Sequence, residues 1–279
     1  MIDPILIMVA PNGARRTKAD HPALPMGPDE LGATARACRD AGAGAIHLHV
    51  RDRDGAHILD ADLYRAATDA VRRDAGDDFI IQITTEAVGR YRPPEQMAVI
   101  RAARPAAFSV ALRELFPEGD GRAEEDAAAF LAWCHEAGIA IQYILYSDID
   151  LERFLMNIHR GAIPGKRWSV LFVLGRYSAD LTSDPNEIKP FLEVLNQASE
   201  RDQITWMVCA FGPAESTVAA AALSLGGHVR VGFENNLWLP SGDVAVDNAA
   251  LVDLAAQSRD RLELEVARGD DALRILGRP

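Results

Sequence analysis

The sequence predicts a single (β/α)8 barrel, or TIM barrel, that occupies residues 1–279. Three observations lead to this fold class. Apolar segments of strand length alternate with segments of helical periodicity, the alternation runs through eight units, and no linker or low-complexity segment interrupts it. A doubly wound sheet is the main alternative, but the turn after the first apolar segment reads APNGARRT and lacks the glycine spacing typical of that fold.

The eight predicted strands are mostly near-continuous apolar runs, as expected for parallel strands covered by helices. In chain order they are Ile5–Val9, Ala45–Asp52, Phe79–Ile83, Ala107–Leu112, Ile139–Tyr146, Trp168–Leu174, Gln203–Ala210 and His228–Phe233.

Each strand is followed by a segment of helical character. Asp60 is a predicted N-cap, a proline opens the helix that begins at Pro94, and Gly42 closes the first helix. The predicted helices are Pro28–Ala41, Asp60–Arg73, Pro94–Ala103, Ala123–Ala137, Leu151–His159, Asn186–Glu200, Ala214–Leu225 and Val246–Ala267, and a short tail follows the last of them.

Composition excludes several classes of function. The chain has 29 basic and 41 acidic residues, and this net charge of −12 argues against nucleic acid or an anionic membrane as a partner. It contains no signal segment and no apolar run of membrane-spanning length, so we expect a soluble, cytoplasmic protein. Cys38, Cys134 and Cys209 lie far apart in apolar segments and are expected to be buried free thiols.

The clearest chemical signal is AIHLHVRD, residues Ala45–Asp52. Apolar and polar residues alternate along it, and residues two apart in a strand project to the same face, so His47 and His49 point the same way. Two imidazoles can share a divalent ion if a third ligand arrives from elsewhere. For this motif alone, a pair of structural histidines is the alternative.

Glu234 is the predicted third ligand. It ends the last strand, which in a closed barrel neighbours the first, and the first neighbours the strand that carries both histidines. Two histidines and one carboxylate with open positions suit a catalytic Zn²⁺ or a similar divalent ion. An exposed loop carboxylate is the alternative for Glu234.

Arg230 precedes Glu234 on the same face of the last predicted strand. It is therefore expected to be a buried cation, which serves either in a structural ion pair or in binding a substrate anion.

Other polar residues stand at predicted strand ends, where they either bind a substrate carboxylate or cap the next helix. They are Thr84, Thr85, Glu86, Ser109 and Gln142. Arg15, Arg16 and Lys18 form a basic cluster after the first strand, which is either solvated or binds an anion.

Over nearly its whole length the sequence resembles the beta-keto acid cleavage enzymes. The HLHVRD and GGHVRVGFENN pieces together make this resemblance specific. The segments that carry it are Ala10–Pro25, Ala41–Gly55, Phe79–Thr85, Phe172–Gly175 and Gly226–Asn236.

The resemblance implies a zinc-dependent barrel, usually a homotetramer, that condenses a β-keto acid with acetyl-CoA and releases acetoacetate and a new CoA thioester. It implies that His47, His49 and Glu234 hold the metal, which as a Lewis acid stabilises the enolate of the keto acid. In this family the proposed base is an arginine paired with the aspartate of a GFEDN motif, and Arg230 matches that arginine.

Several positions depart from the family pattern. Asn235 replaces the aspartate of the catalytic pair, Arg15 replaces an acid found after the first strand in some members, and Glu86 stands in a turn that commonly reads TGG. The fifth strand has Gln142 and Ile144 where a glutamate pair is common. The predicted catalytic residues are therefore Arg230, Asn235 and Glu86, and the predicted substrate-binding residues are Thr84, Thr85, Ser109, Gln142 and Arg15.

These departures leave three functions open. The first is a divergent member acting on an apolar or anionic β-keto acid, with Glu86 or a metal-bound water as the base. The second is another metal-assisted carbon–carbon lyase or a hydrolase on the same barrel. The third is a metal-binding homologue without turnover.

Overall fold

The computed structural model describes residues 3–117 and 119–279. Eight parallel strands form a closed barrel in sequence order, which confirms the predicted fold class. The strands are β1 (Ile7–Val9), β2 (Ala45–Leu48), β3 (Ile80–Thr84), β4 (Ala107–Ala111), β5 (Ala140–Leu145), β6 (Trp168–Leu174), β7 (Ile204–Ala210) and β8 (His228–Val231).

Helices cover the outside of the barrel. They are α1 (Pro28–Asp40), α2 (Ala61–Ala75), α3 (Pro93–Ala103), α4 (Leu112–Leu115), α5 (Gly121–Glu136), α6 (Asp148–His159), α7 (Ile188–Gln197), α8 (Glu215–Ser224), α9 (Asn248–Arg261) and α10 (Gly269–Ile275). As predicted, Asp60 is the N-cap of α2, and its side chain accepts a hydrogen bond from Leu63 N at 2.9 Å.

Two predicted strands, the second and the eighth, end at least two residues earlier than the sequence suggested. β2 ends at Leu48, because the next backbone N–H, that of His49, donates to the side chain of Asn12. β8 ends at Val231, because Gly232 adopts φ +133° and begins a turn that Asn235 N and Asn236 N close onto its carbonyl oxygen. The prediction that Glu234 is the last residue of its strand was therefore wrong.

The helical predictions need four corrections, of which the first is that α6 begins at Asp148 and not at the predicted Leu151. Leu112 begins the short helix α4 instead of ending β4. The helix expected from Asn186 begins as a 3-10 turn, and its α-helical part ends at Gln197. The last predicted helix ends at Arg261, shortly before Glu263 takes a positive φ of 55°, and the expected tail contains α10.

The core has two layers. Outward-facing strand residues pack against the helices, whereas inward-facing residues such as Leu6, Met8 and Ala140 form an apolar floor with α10. The other end of the barrel interior is polar, and it holds both histidines of the HLH motif.

Two further expectations concern the thiols and the helices. Cys38, Cys134 and Cys209 are buried and unpaired, as predicted. In the described part of the chain, no helix combines the length and the apolar character needed to cross a bilayer.

Candidate metal centre

Three potential metal ligands meet at the carboxyl-terminal end of the strands. His47 lies in β2, His49 follows the last residue of that strand, and Glu234 lies in the turn after β8. His47 Nε2 is 3.2 Å from His49 Nε2. Glu234 Oε2 lies 3.6 Å from the first of these nitrogens and 3.3 Å from the second.

The size of this triangle fits a zinc ion. Donor atoms about 2.0–2.1 Å from a tetrahedral Zn²⁺ stand about 3.3–3.4 Å from one another. The measured separations lie on either side of that value, and all three residues line the same cavity. The arrangement therefore resembles a catalytic site, in which three protein ligands leave a position open to water or substrate.

A chain of buried amides sets the tautomer of His47. Gln82 Oε1 lies 2.8 Å from His47 Nδ1, Gln82 Nε2 donates to Gln142 Oε1 at 3.1 Å, and Gln142 Nε2 donates to Ser169 Oγ at 3.2 Å. Because Gln82 Oε1 can only accept, His47 Nδ1 carries the hydrogen and Nε2 presents its lone pair to the centre.

Asn12 holds His49 from the turn after β1. Its Oδ1 accepts from His49 N at 3.3 Å, and its Nδ2 donates to His49 O at 3.0 Å and to Pro25 O at 3.1 Å. The next residue, Gly13, has φ +60°, and a Cβ there would lie 2.6 Å from Glu234 Cγ. A glycine is therefore needed for Glu234 to approach.

The electrostatics favour metal-binding protonation states. Burial and the nearby Arg230 lower the pKa of His47 well below its usual range, so its imidazole is neutral. Burial alone would raise the pKa of Glu234, but Arg230 and the two histidines hold it well below its usual range.

Arg230 is buried beside these ligands and remains a cation. Its Nη2 lies 3.0 Å from Glu234 Oε1 and 3.4 Å from Cys209 Sγ. Burial opposes its charge, but Glu234 outweighs that effect and raises the pKa of Arg230. Its Nε and Nη1 atoms are buried and have no hydrogen-bond partner among the described residues.

Glu215, at the start of α8, fixes the turn that carries Glu234. Its carboxylate accepts from Gly232 N at 3.0 Å and from Asn236 Nδ2 at 3.3 Å. Burial raises the pKa of Glu215 to about 8, although both hydrogen bonds favour the ionised form. The sequence analysis missed Glu215, because no local signal separates it from other glutamates at helix starts.

The cavity beside the centre has a volume of about 190 Å³. Most of its apolar wall comes from Ile144, Tyr146, Val173, Leu181 and Phe211. Arg15, Arg16 and Arg176 add positive charge to its lining.

Four of the predicted catalytic and substrate-binding residues line this cavity: Arg15, Thr84, Glu86 and Arg230. Arg15 Nη1 lies 2.7 Å from Glu86 Oε1, and Glu86 N donates to Thr84 Oγ1 at 3.0 Å. The other carboxylate oxygen, Glu86 Oε2, is 3.8 Å from His49 Nδ1.

The other four predicted residues do not line the cavity. Thr85 donates to Ser109 O at 2.9 Å, and Gln142 lies in the amide chain below His47. Ser109 Oγ and both polar side-chain atoms of Asn235 are buried without a hydrogen-bond partner among the described residues.

The three residues of the predicted basic cluster do not all lie at the cavity. Lys18 pairs with Glu30 at 2.6 Å and is absent from the cavity wall, whereas Arg15 and Arg16 belong to that wall. Arg51 holds the loop that carries them, because its guanidinium donates to Ala14 O and to Arg16 O, each at 3.0 Å.

Comparison with known sequences gives one family and several full-length relatives. The family model for beta-keto acid cleavage enzymes matches residues 4–277. The chain is 27% identical over 281 residues to 3-keto-5-aminohexanoate cleavage enzyme of Fusobacterium nucleatum, with 99% of this chain and 98% of that enzyme covered. It is 28% identical over 286 residues to 3-oxoadipate:acetyl-CoA acetyltransferase of Cupriavidus necator, with 100% of this chain and 96% of that enzyme covered.

Among solved structures, the apo structure of ObcA superposes with a TM-score of 0.71 at 16% identity. The match covers 91% of this chain but 65% of ObcA, so the chain spans about two thirds of that protein. At this identity the likeness concerns the fold alone.

The amide chain leads to a prediction about metal affinity. Gln82→Leu removes the acceptor that orients His47, so we expect zinc affinity to fall by about 10–100-fold. Gln82→Glu keeps an acceptor oxygen and should retain most of the affinity, and the exposed Gln257→Leu on α9 is the control. Zinc competition against a chelator measures all three. A His47→Ala, His49→Ala double variant that still binds one zinc ion per chain would contradict the site.

Proposed function

Because the chain belongs to the beta-keto acid cleavage enzymes, we propose that it condenses a β-keto acid with acetyl-CoA and releases acetoacetate and a new acyl-CoA. The observation that carries the proposal is the convergence of His47, His49 and Glu234 at the mouth of the barrel. The metal is proposed to be Zn²⁺ or a similar divalent ion, and the enzyme to be a cytoplasmic homo-oligomer, a tetramer as the family resemblance implies.

The chemistry depends on stabilising negative charge next to the ligands. A divalent ion held there would act as a Lewis acid on the oxygens of the keto acid. Arg230 lines the same cavity, and its unpartnered Nε and Nη1 hydrogens are free to donate to a substrate oxygen that becomes negative. Because Arg230 stays protonated beside Glu234, its role in this proposal is that of a cation and donor.

Glu86 is the proposed base. Asn235 is a neutral amide outside the cavity, and burial raises the pKa of Tyr146, so its phenol is neutral. Glu86 lines the cavity, and its pairing with Arg15 and the bond from its N–H to Thr84 fix its position.

The proposed reaction balances with a single base. Glu86 takes a proton from the carbon between the two carbonyl groups, and that carbon attacks the acetyl thioester while the CoA thiolate leaves. The thiolate then adds to the original keto carbon, and cleavage of the carbon–carbon bond gives the new thioester. Glu86 returns its proton to the leaving carbanion, which departs as acetoacetate.

The second candidate is a metal-dependent hydrolase or another carbon–carbon lyase. The buried, unpartnered Asn235 favours it, because the family's aspartate is absent there. A homologue that binds metal without turnover is the remaining alternative.

Turnover of a β-keto acid panel tests the proposal. We expect zinc-loaded protein to release acetoacetate from at least one β-keto acid, and only when acetyl-CoA is present. Hydrolysis of the acid or of a thioester without acetoacetate would favour the second candidate. Absence of any turnover would favour the binding protein.

The assignment of the base gives a second prediction. Glu86→Gln should lower kcat by about 10²–10⁴-fold, because it removes the proton acceptor. Arg15→Met, which breaks the ion pair but keeps the carboxylate, should have a smaller effect. Asn235→Asp should change kcat by less than about tenfold, or about 1.4 kcal/mol of barrier. A large gain from Asn235→Asp with an unaffected Glu86→Gln would show that the base is elsewhere.

The positively charged side chains around the cavity lead to a prediction about which substrate charge the enzyme prefers. Arg15 and Arg16 line the cavity beside the metal centre, and Arg15 already pairs with Glu86, so the positive charge of these side chains disfavours a substrate ammonium there. For two keto acids that differ only by an amino or a methyl group, kcat/KM should favour the methyl compound by about tenfold or more. Arg15→Glu should narrow that ratio. Preference of the unmodified enzyme for the amino compound would contradict the prediction.

A further inference from the structure

A second cavity adjoins the metal centre. It has a volume of about 330 Å³ and lies between the start of α6, the end of β6 and the loop that follows β6. Tyr146, Val173 and Arg176 line both cavities and therefore form the boundary between them. A ligand with one end at the metal ligands and the other in the second cavity passes these three residues.

Arg176 is a cation without a counter-ion at this boundary. Within residues 3–117 and 119–279 it makes no hydrogen bond or salt bridge, whereas the neighbouring Arg113 pairs with Asp150 at 2.6 Å. Aromatic rings hold Arg176 instead, because its Cζ lies 5.5 Å from the centre of the Phe211 ring and 5.8 Å from that of Tyr177. Its N–H groups remain free for an anion.

Tyr177 provides an exposed ring next to that cation. Its relative exposure is 68%, which is unusual for a large aromatic residue outside a binding surface. The ring centre is 5.3 Å from that of Tyr146, and Arg113 Cζ lies 5.5 Å from it. A flat heterocycle such as a nucleobase can stack on such a ring while the adjacent guanidinium binds phosphate.

Two acidic side chains in the second cavity limit where an anion can bind. Glu187 accepts hydrogen bonds from Gly175 N at 3.2 Å and from Asp184 N at 2.8 Å. Asp148 lies at the start of α6, is half-buried, and accepts a hydrogen bond from Ile149 N at 3.0 Å. An anionic ligand is therefore drawn to the side of the cavity formed by Arg176 and Tyr177.

We propose that Arg176 and Tyr177 bind the nucleotide end of coenzyme A, with a phosphate group on Arg176 and the adenine on the ring of Tyr177. The pantetheine arm then runs past Tyr146 and Val173 to place the thioester beside the metal ligands. This assignment rests on the proposed function. It places the small keto acid in the cavity beside the metal centre. The second cavity then holds the part of coenzyme A that takes no part in the reaction.

Equilibrium binding of coenzyme A, measured by calorimetry on zinc-loaded protein without a keto acid, tests the assignment. Arg176→Gln should raise Kd about tenfold or more, because it removes a charged hydrogen bond to phosphate. Tyr177→Ala should weaken binding, and Tyr177→Phe should restore it. The control is Arg101→Gln, because Arg101 also stacks on a ring, 4.6 Å from the centre of Trp133, but lines neither cavity.

Steady-state kinetics separate this assignment from the proposed function. Arg176→Gln should raise KM for acetyl-CoA but leave kcat/KM for acetylpantetheine, which lacks the nucleotide, within about twofold of the unmodified enzyme. Unchanged coenzyme A binding, or a rise in KM for the keto acid alone, would overturn the assignment even if acetoacetate is formed. Weakened coenzyme A binding in a protein that cleaves no keto acid would overturn the proposed function and leave the assignment standing.

Discussion

The pairing of β1 with β8 is the contact on which the candidate metal centre depends. β1 pairs with β8 through Met8 and Arg230 on one edge and with β2 through Met8 and Ala45 on the other. Because neighbouring strands are about 4.8 Å apart, the ends of β2 and β8 stand about 10 Å from each other. A gap of this width can hold the imidazoles of His47 and His49 on one side and the carboxylate of Glu234 on the other. In an open sheet the same strands would lie at opposite edges and the ligands would never meet.

The buried charges at this centre lower the free energy of unfolding. Arg230 and Glu234 form an ion pair whose side chains are 3% and 15% exposed, and removing such charges from water costs several kcal/mol per ion. Glu215 accepts a hydrogen bond from Gly232 N and Asn12 donates one to His49 O, and these bonds and the amide chain below His47 hold this charged region in place. The apolar floor of the barrel and the helix-covered outer layer supply the hydrophobic burial that offsets the cost.

The sequence predicted the barrel and the proximity of His47, His49 and Glu234 because both follow from periodicity. A period of two places His47 and His49 on one face, and eight alternating units bring Glu234 to them. The same periodicity gives the face of a residue but not its depth in the barrel, which is why Gln142 was expected at the substrate although it lies below the ligands. Glu215 and Asn12 act through backbone contacts between distant segments, and no local pattern encodes those contacts.

The floor of the barrel has a consequence for how the chain is made. Ala272 and Leu273 of α10 pack with inward-facing residues of the strands, and Ile5 N donates to Glu265 O at 2.8 Å just before β1. The contacts between β1 and the floor can therefore form only after α10 has been translated. Until then the inner faces of the earlier strands lack the apolar cover that α10 provides, and exposed apolar strand faces of this kind favour aggregation.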